Sequence, residues 1–237
     1  LSASSINTGL AANTVITVDG PSGAGKGTLS YLLARKTGFH LLDSGALYRL
    51  VALASLQANA DLQDQPAIEK IAETLNVVFD TSSEPVRVML NSQDATLAIR
   101  EEKTGMTASI VAAYPGVRAA LLTRQRAFAL APGLIADGRD MGTCVFPNAD
   151  LKFFLTASAE ARAERRYRQL IAKGESVDKA ALVKDIQERD ERDSNRSVSP
   201  LKPAADAIFI DSTEMTIDEV LNLMLSKAQP LISRSAQ

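Results

Sequence analysis

The sequence predicts an α/β fold with a central parallel sheet flanked by helices, and three observations predict it. Short β-branched or apolar runs bounded by Gly, Asp or Pro alternate with longer stretches of helical period, which is how parallel strands joined by crossover helices read. A glycine-rich run sits directly between an apolar strand and a helical stretch. The third observation is composition: 46% hydrophobic and 23% charged residues over 237 positions exclude a disordered, collagen-like or disulfide-scaffold chain. That length suits one large domain, or a core carrying one insertion.

Taken in order, residues 15–18 (VITV) form the first strand, and the helix after Lys26 runs to Gly38, a helix-stopping residue. Residues 39–42 form the second strand. The stretch 46–56 is apolar at most positions, as a buried helix would be. Between about residues 62 and 115 the pattern changes: a helical run (PAIEKIAETL), apolar runs at 77–79 and 86–90, and a polar turn (NSQD) predict an insertion with two or three antiparallel strands. Residues 134–136, 151–155 and 207–210 (AIFI) are further strands of the parallel sheet. The charge-dense stretch 173–205, ending in SVSPLKPAAD, reads as a lid. The domain proper is assigned to residues 14–237, and residues 1–13 to a disordered tail.

The 26 basic and 28 acidic residues leave a net charge of -2, with no global footprint for wrapping nucleic acid or lying on an anionic membrane. Any polyanion site is therefore local. The single Cys144 has no partner for an internal disulfide, reads as a small core residue and fits a reducing compartment. No run of about 18 apolar residues occurs, and the opening residues lack the pattern of a secretory signal. A cytoplasmic location is expected.

The glycine-rich run is Gly20, Pro21, Ser22, Gly23, Ala24, Gly25, Lys26, Gly27 and Thr28, in the strand-to-helix context that a P-loop requires. Small residues let backbone amides curl inward, the helix N-terminus adds positive potential, and Lys26 brings a cation to the β- and γ-phosphates. These features predict nucleoside triphosphate binding. The run departs from GxxxxGK[ST] in that Gly27 follows the lysine and the hydroxyl comes one residue later, at Thr28. Neither NKxD nor DxxG, which a GTPase switch needs, occurs in the chain.

A second cluster gathers at the predicted strand ends, where open α/β sheets bind ligands. Asp43, Ser44, Tyr48 and Arg49 follow one strand, and Asp137, Arg139 and Asp140 follow another. Asp137, directly after apolar residues, stands where P-loop enzymes place the acid that orders magnesium or its waters. Arg139 points at a phosphate. Asp140 suits an exocyclic amine, as Asp or Glu suits cytosine N4. Arg189, Asp193 and Arg196 fall at i, i+4 and i+7, on one helical face, and Arg162, Arg165 and Arg166 likewise cluster, so each face is positioned to converge on a phosphate. The lone His40 reads as structural, and Met141 and Phe146 as packing.

GPSGAGKGT, LLDSGALYR, PGVRAALLTRQR, LIADGRDMGTCVFP and ERDERDSNR, in that order from Thr14 onward, resemble the bacterial cytidylate kinases of the nucleoside monophosphate kinase family. The resemblance implies a P-loop kinase fold whose insertion is the monophosphate-binding part. It implies phosphorylation of CMP and dCMP by Mg-ATP in pyrimidine nucleotide metabolism. Residues 20–28 then hold ATP, and Ser44, Arg49, Ser109, Arg118, Arg139, Asp140, Arg189, Asp193 and Arg196 hold CMP. Within that set Arg49, Arg139 and Arg196 take the CMP phosphate, Ser109, Arg118 and Asp140 read the cytosine edge, and Arg189 and Asp193 reach the ribose. Lys26, Arg139, Arg196 and Asp137 carry the chemistry. Arg162 and Arg166 are expected near ATP. Magnesium arrives with ATP, with no direct protein ligand but contact to Thr28 and Asp137 through water, and a monomer without nucleic-acid or membrane partners is expected. From the residues alone, two rivals remain: another P-loop kinase acting on AMP, UMP, dTMP or a non-nucleotide hydroxyl, and a nucleotide-driven switch with no acceptor. An RNA-binding reading of the arginine helices is disfavoured by the balanced charge and the 5% aromatic content.

Overall fold

The structure, a computed structural model, describes residues 13–80, 87–172 and 174–235. The chain runs β1 (Thr14–Asp19), α1 (Lys26–Thr37), β2 (His40–Asp43), α2 (Ser44–Gln57), α3 (Gln65–Glu73), β3 (Val77–Asp80), β4 (Arg87–Leu90), β5 (Gln93–Asp94), α4 (Glu102–Val111) and α5 (Pro115–Arg126). It continues through β6 (Gly133–Gly138), β7 (Leu151–Thr156), α6 (Ala159–Ala172), α7 (Lys179–Ser194), β8 (Ile208–Asp211) and α8 (Ile217–Ser235). The tail expected at residues 1–13 lies outside the described residues except for Asn13, whose Nδ2 donates to the Ala129 carbonyl at 2.8 Å.

Five parallel strands in the order β2-β6-β1-β7-β8 form the central sheet; β1, β6 and β7 contain the apolar runs that predicted them, and β2 and β8 are each shifted one residue later than expected. Both faces are covered, which is why the strands read as nearly continuous apolar runs. Alternate residues feed opposite layers. Val15, Leu134 and Ala136 pack with α2, α4 and α5, whereas Ile16, Val18, Ile135, Phe153 and Leu155 pack with α1 and α8. Gly38 caps α1 in the left-handed region, with φ 74°, and returns its amide to Ala34, the stop its residue type suggests.

β3, β4 and β5 form a separate antiparallel sheet. Ile68 and Ala72 of α3 and Val88 and Leu90 of β4 pack into the cluster that holds Leu47, Leu50, Val117 and Leu121. The segment is therefore continuous with the core on the α2 side of the sheet. Arg124 fastens it further, donating to the Leu75 carbonyl at 2.8 Å.

Two sequence expectations change here. Cys144 is exposed, because it lies on the outer side of a π-type turn over Met141–Val145 whose inward residues are Met141, Gly142 and Val145. Its Sγ faces Ser199 Oγ at 3.0 Å. α7 ends at Ser194 with Asn195 as its C-cap, so Arg196 lies beyond the helix and does not share its face with Arg189 and Asp193. His40 is exposed at the start of β2, with Nε2 2.9 Å from the Ala131 carbonyl. Met141 is fully buried, with Phe146 packed against the same cluster. Among the described residues no single helix is long and apolar enough to cross a membrane.

Candidate active site

The loop after β1 is shaped by one close approach. A Cβ at Gly20, φ 147°, would stand 1.9 Å from the Leu155 carbonyl oxygen of β7. Only glycine lets the chain leave the central strand so tightly against its neighbour. The turn returns Lys26, 6% exposed, so that its Nζ donates to the Pro21 carbonyl at 2.9 Å across the loop. Burial pushes the Lys26 ammonium down to about 7, with Arg139 adding to the shift and Asp137 opposing it.

Parallel register gathers carboxylates at the same edge. Asp137 lies opposite both Asp43 of β2 and Val18 of β1, and Asp19 lies opposite Gly138. Burial raises Asp137 to about 7, against the pull of Lys26 and with Asp43 reinforcing it. Asp43 also caps α2, its Oδ1 accepting from the Ala46 amide at 3.0 Å, a favoured N-cap contact.

The turn after β6 is pinned from two sides. Asp19 accepts from the amides of Met141 (2.8 Å) and Gly142 (2.7 Å), while Arg126 donates to the carbonyls of Val145 (2.9 Å) and Cys144 (3.3 Å). Burial lifts Asp19 to about 6 although both amides oppose the shift. Arg139 and Asp140 thus project from a fixed segment, and π-type turns of this kind recur at functional sites.

One cleft collects all nine residues expected to hold CMP, together with Lys26, Asp137, Ser22, Asp43 and Tyr48. Arg49 donates to the Ile99 carbonyl at 2.8 Å. Ser44 Oγ donates to Gln125 Oε1 at 2.7 Å. Arg118 is ion-paired with Asp140, the side chains being 8% and 3% exposed. Its guanidinium also donates to the Ala112 carbonyl at 3.1 Å and lies 5.5 Å from the Tyr48 ring centroid.

α7 closes one side of the cleft. Asp193 accepts from Arg139 Nε at 3.2 Å and from Ser109 Oγ at 3.5 Å, and Arg192 donates to Ser109 Oγ at 3.1 Å. Burial works against charge on Asp193, yet Arg139, Arg196 and Arg189 outweigh it and hold the carboxyl below its usual range. Burial also depresses Arg189, to about 10, with Arg139 as the next cause. Buried Nε of Arg189 and buried Nε and Nη2 of Arg196 find no hydrogen-bond acceptor among the described residues. Unmet donors at a buried site are costly unless an acceptor is supplied.

The arginines of α6 do not converge as their spacing suggested. Arg162 donates to the Ser22 carbonyl of the P-loop (3.0 Å), to Ala157 (2.8 Å) and to Asp190 Oδ1 of α7 (3.0 Å). Arg165 turns to Ser212. Arg166 pairs with Glu102 of α4 at 3.0 Å, and neither Arg162 nor Arg166 lines the cleft. Asp19, Gln125 and Asp190 are supporting residues that the sequence did not single out. Asp19 offered one signal, an acid ending an otherwise apolar strand; the other two offered none.

The family model described as cytidylate kinase matches residues 16–230. The cytidylate kinase of Aeromonas salmonicida is 57% identical over 215 residues, spanning 91% of this chain and 94% of that protein. That of Vibrio cholerae is 58% identical over 211 residues, spanning 89% and 94%. Among solved structures, a gluconokinase from Sinorhizobium meliloti aligns with a TM-score of 0.48 at 14% identity, covering 94% of this chain and 95% of that one.

Proposed function

The chain belongs to the cytidylate kinase family, and we propose from that membership and the cleft that it transfers the terminal phosphoryl group of ATP to CMP and dCMP, yielding ADP with CDP or dCDP. One observation carries the reading. Six cations face four carboxylates in the cleft beside the P-loop, in a chain whose net charge is -2, and guanidinium nitrogens of Arg189 and Arg196 await acceptors. This is the local polyanion site that the overall charge required.

In the transfer, an oxygen of the CMP phosphate forms a bond to the γ-phosphorus as the bond to the bridging β,γ-oxygen breaks, and ADP leaves with that electron pair. Charge spreads over the moving oxygens, so positioning and electrostatic stabilisation dominate. Lys26, Arg139 and Arg196 neutralise that charge. Anionic phosphate beside Lys26 opposes the effect of burial and favours its protonated form. Arg49, Arg139 and Arg196 hold the acceptor phosphate, Ser109, Arg118 and Asp140 read the cytosine edge, and Arg189 and Asp193 reach the ribose, with Ser44 beside them. Arg162, which reaches the P-loop through Ser22, and Arg166 stand near ATP. Residues 62–115 act as the monophosphate-binding part and 173–205 as the lid. The links from Asp193 to Arg139 and from Arg192 to Ser109 support closure over the substrates, which excludes water.

The sheet edge suits hydrated magnesium. Asp137 is a hard oxygen donor adjoining Asp43 in register, and its Oδ2 lies 3.6 Å from where a Cβ at Gly27 would stand, beside the P-loop. Asp137 and Thr28 would hold the ion through water. Bound there, it neutralises ATP phosphate oxygens. The balanced charge and single cysteine favour a cytoplasmic monomer that acts without nucleic acid or membrane.

The test is to incubate the protein with Mg-ATP and, separately, CMP, dCMP, UMP, AMP, dTMP or no acceptor, and to measure ADP and the new diphosphate. Fast consumption of CMP and dCMP is expected; acceptor-independent ATP hydrolysis alone would replace the kinase reading with the switch. Lys26→Ala should lower turnover by orders of magnitude in a folded protein.

A further inference from the structure

Gly105 lies inside α4, where glycine weakens a helix relative to alanine. Its backbone is ordinary helix, so no unusual dihedral demands it. What occupies the missing side-chain space is Arg49. A Cβ at position 105 would stand 2.8 Å from Arg49 Nη2, 3.0 Å from Nη1 and 3.1 Å from Cζ. The three nearest atoms all belong to one guanidinium, which therefore lies over the bare Cα. The same group donates to the carbonyls of Ile99 (2.8 Å) and Glu101 (3.4 Å), at the approach to α4. Arg49 thus extends from α2 and rests on α4, with the cleft beside it.

We propose that Gly105 is a positioning residue for the acceptor phosphate: its lack of a side chain seats the Arg49 guanidinium against α4 and aims it into the cleft. The inference rests on the reading of Arg49 as a ligand of the CMP phosphate. The nearest conflict created by a methyl group falls on the far end of a flexible side chain. Gly105→Ala therefore displaces Arg49 without disturbing the fold, and the helix gains from alanine.

The experiment measures steady-state kinetics and thermal melting for wild type, Gly105→Ala, Arg49→Ala and the double variant. Gly105→Ala is expected to melt at or above the wild-type temperature. Its KM for CMP should rise about tenfold or more, the effect of losing one charge-assisted contact, while KM for ATP changes less than about twofold. With Arg49 already removed, the added alanine should change KM for CMP no further. If Arg49→Ala raises KM for CMP and Gly105→Ala does not, or if the two effects multiply, the positioning role is wrong. A melting temperature well below wild type for Gly105→Ala overturns it too. An unchanged KM for CMP in Arg49→Ala instead refutes the phosphate role of Arg49, and the inference about Gly105 falls with it.

Discussion

Replacing Asp140 with alanine strands a guanidinium in the interior. Arg118 and Asp140 are 8% and 3% exposed as side chains, and breaking a buried ion pair from one side typically costs about 3–5 kcal/mol. Arg118 would keep its bond to the Ala112 carbonyl and its place over Tyr48, which puts the loss near the lower figure, about 3 kcal/mol. A chain of 237 residues unfolds with an entropy of about 0.5 kcal/mol per kelvin, so the melting temperature should drop by about 6 °C. Removing both charges in Arg118→Met/Asp140→Leu leaves neither charge of the pair stranded, at the expense of the Ala112 contact, and most of that loss should return. Differential scanning fluorimetry and urea titration without nucleotide measure both. An Asp140→Ala protein within about 1 °C of wild type, or a double variant less stable than the single, would refute the reasoning.

Burial at the P-loop also sets a pH dependence. Asp137 rises from 3.8 to about 7 on folding, so its contribution to stability is complete below pH 3.8 and is lost as pH climbs to 7. Lys26 falls from 10.5 to about 7, so its contribution is complete above pH 10.5 and is lost as pH drops to 7. The two slopes meet near neutrality: the stability gained in Lys26→Met/Asp137→Asn over wild type should peak near pH 7 in urea titrations, and a flat difference between pH 5 and 9 would contradict the argument. Asp19→Ala leaves the Met141 and Gly142 amides without their acceptor. About 2–4 kcal/mol of stability should be lost, and KM for CMP should rise although Asp19 does not line the cleft; an unchanged KM would show that Asp140 needs no such support.

The parallel sheet was legible because its strands are buried on both faces, and a run such as VITV records that burial within four residues. The P-loop was legible for a similar reason, since strand, glycines, lysine and helix are consecutive. Helical spacing was a weaker guide. It orients side chains around one axis but does not say which neighbours surround the helix, so Arg162, Arg165 and Arg166 reach three different partners. It also assumes that the helix continues; α7 stops at Ser194, and Arg196 enters the cleft from the chain beyond. Cys144 misled because residue type reports average burial, whereas the turn decides which of its residues face outward. Gln125 and Asp190 work through partners 81 and 28 residues away, a distance over which one sequence carries no signal of pairing.

Asp190 and Asp193 stand three residues apart on α7, one bound to the arginine that grips the P-loop and the other to an arginine of the turn after β6. An α-helix turns about 100° per residue. A single residue inserted between them would swing one carboxylate away from its partner whichever one stayed in place. The most charged stretch of the chain, which looks the most permissive to length changes, is therefore register-locked: substitutions on its outward face should be tolerated far better than any insertion or deletion.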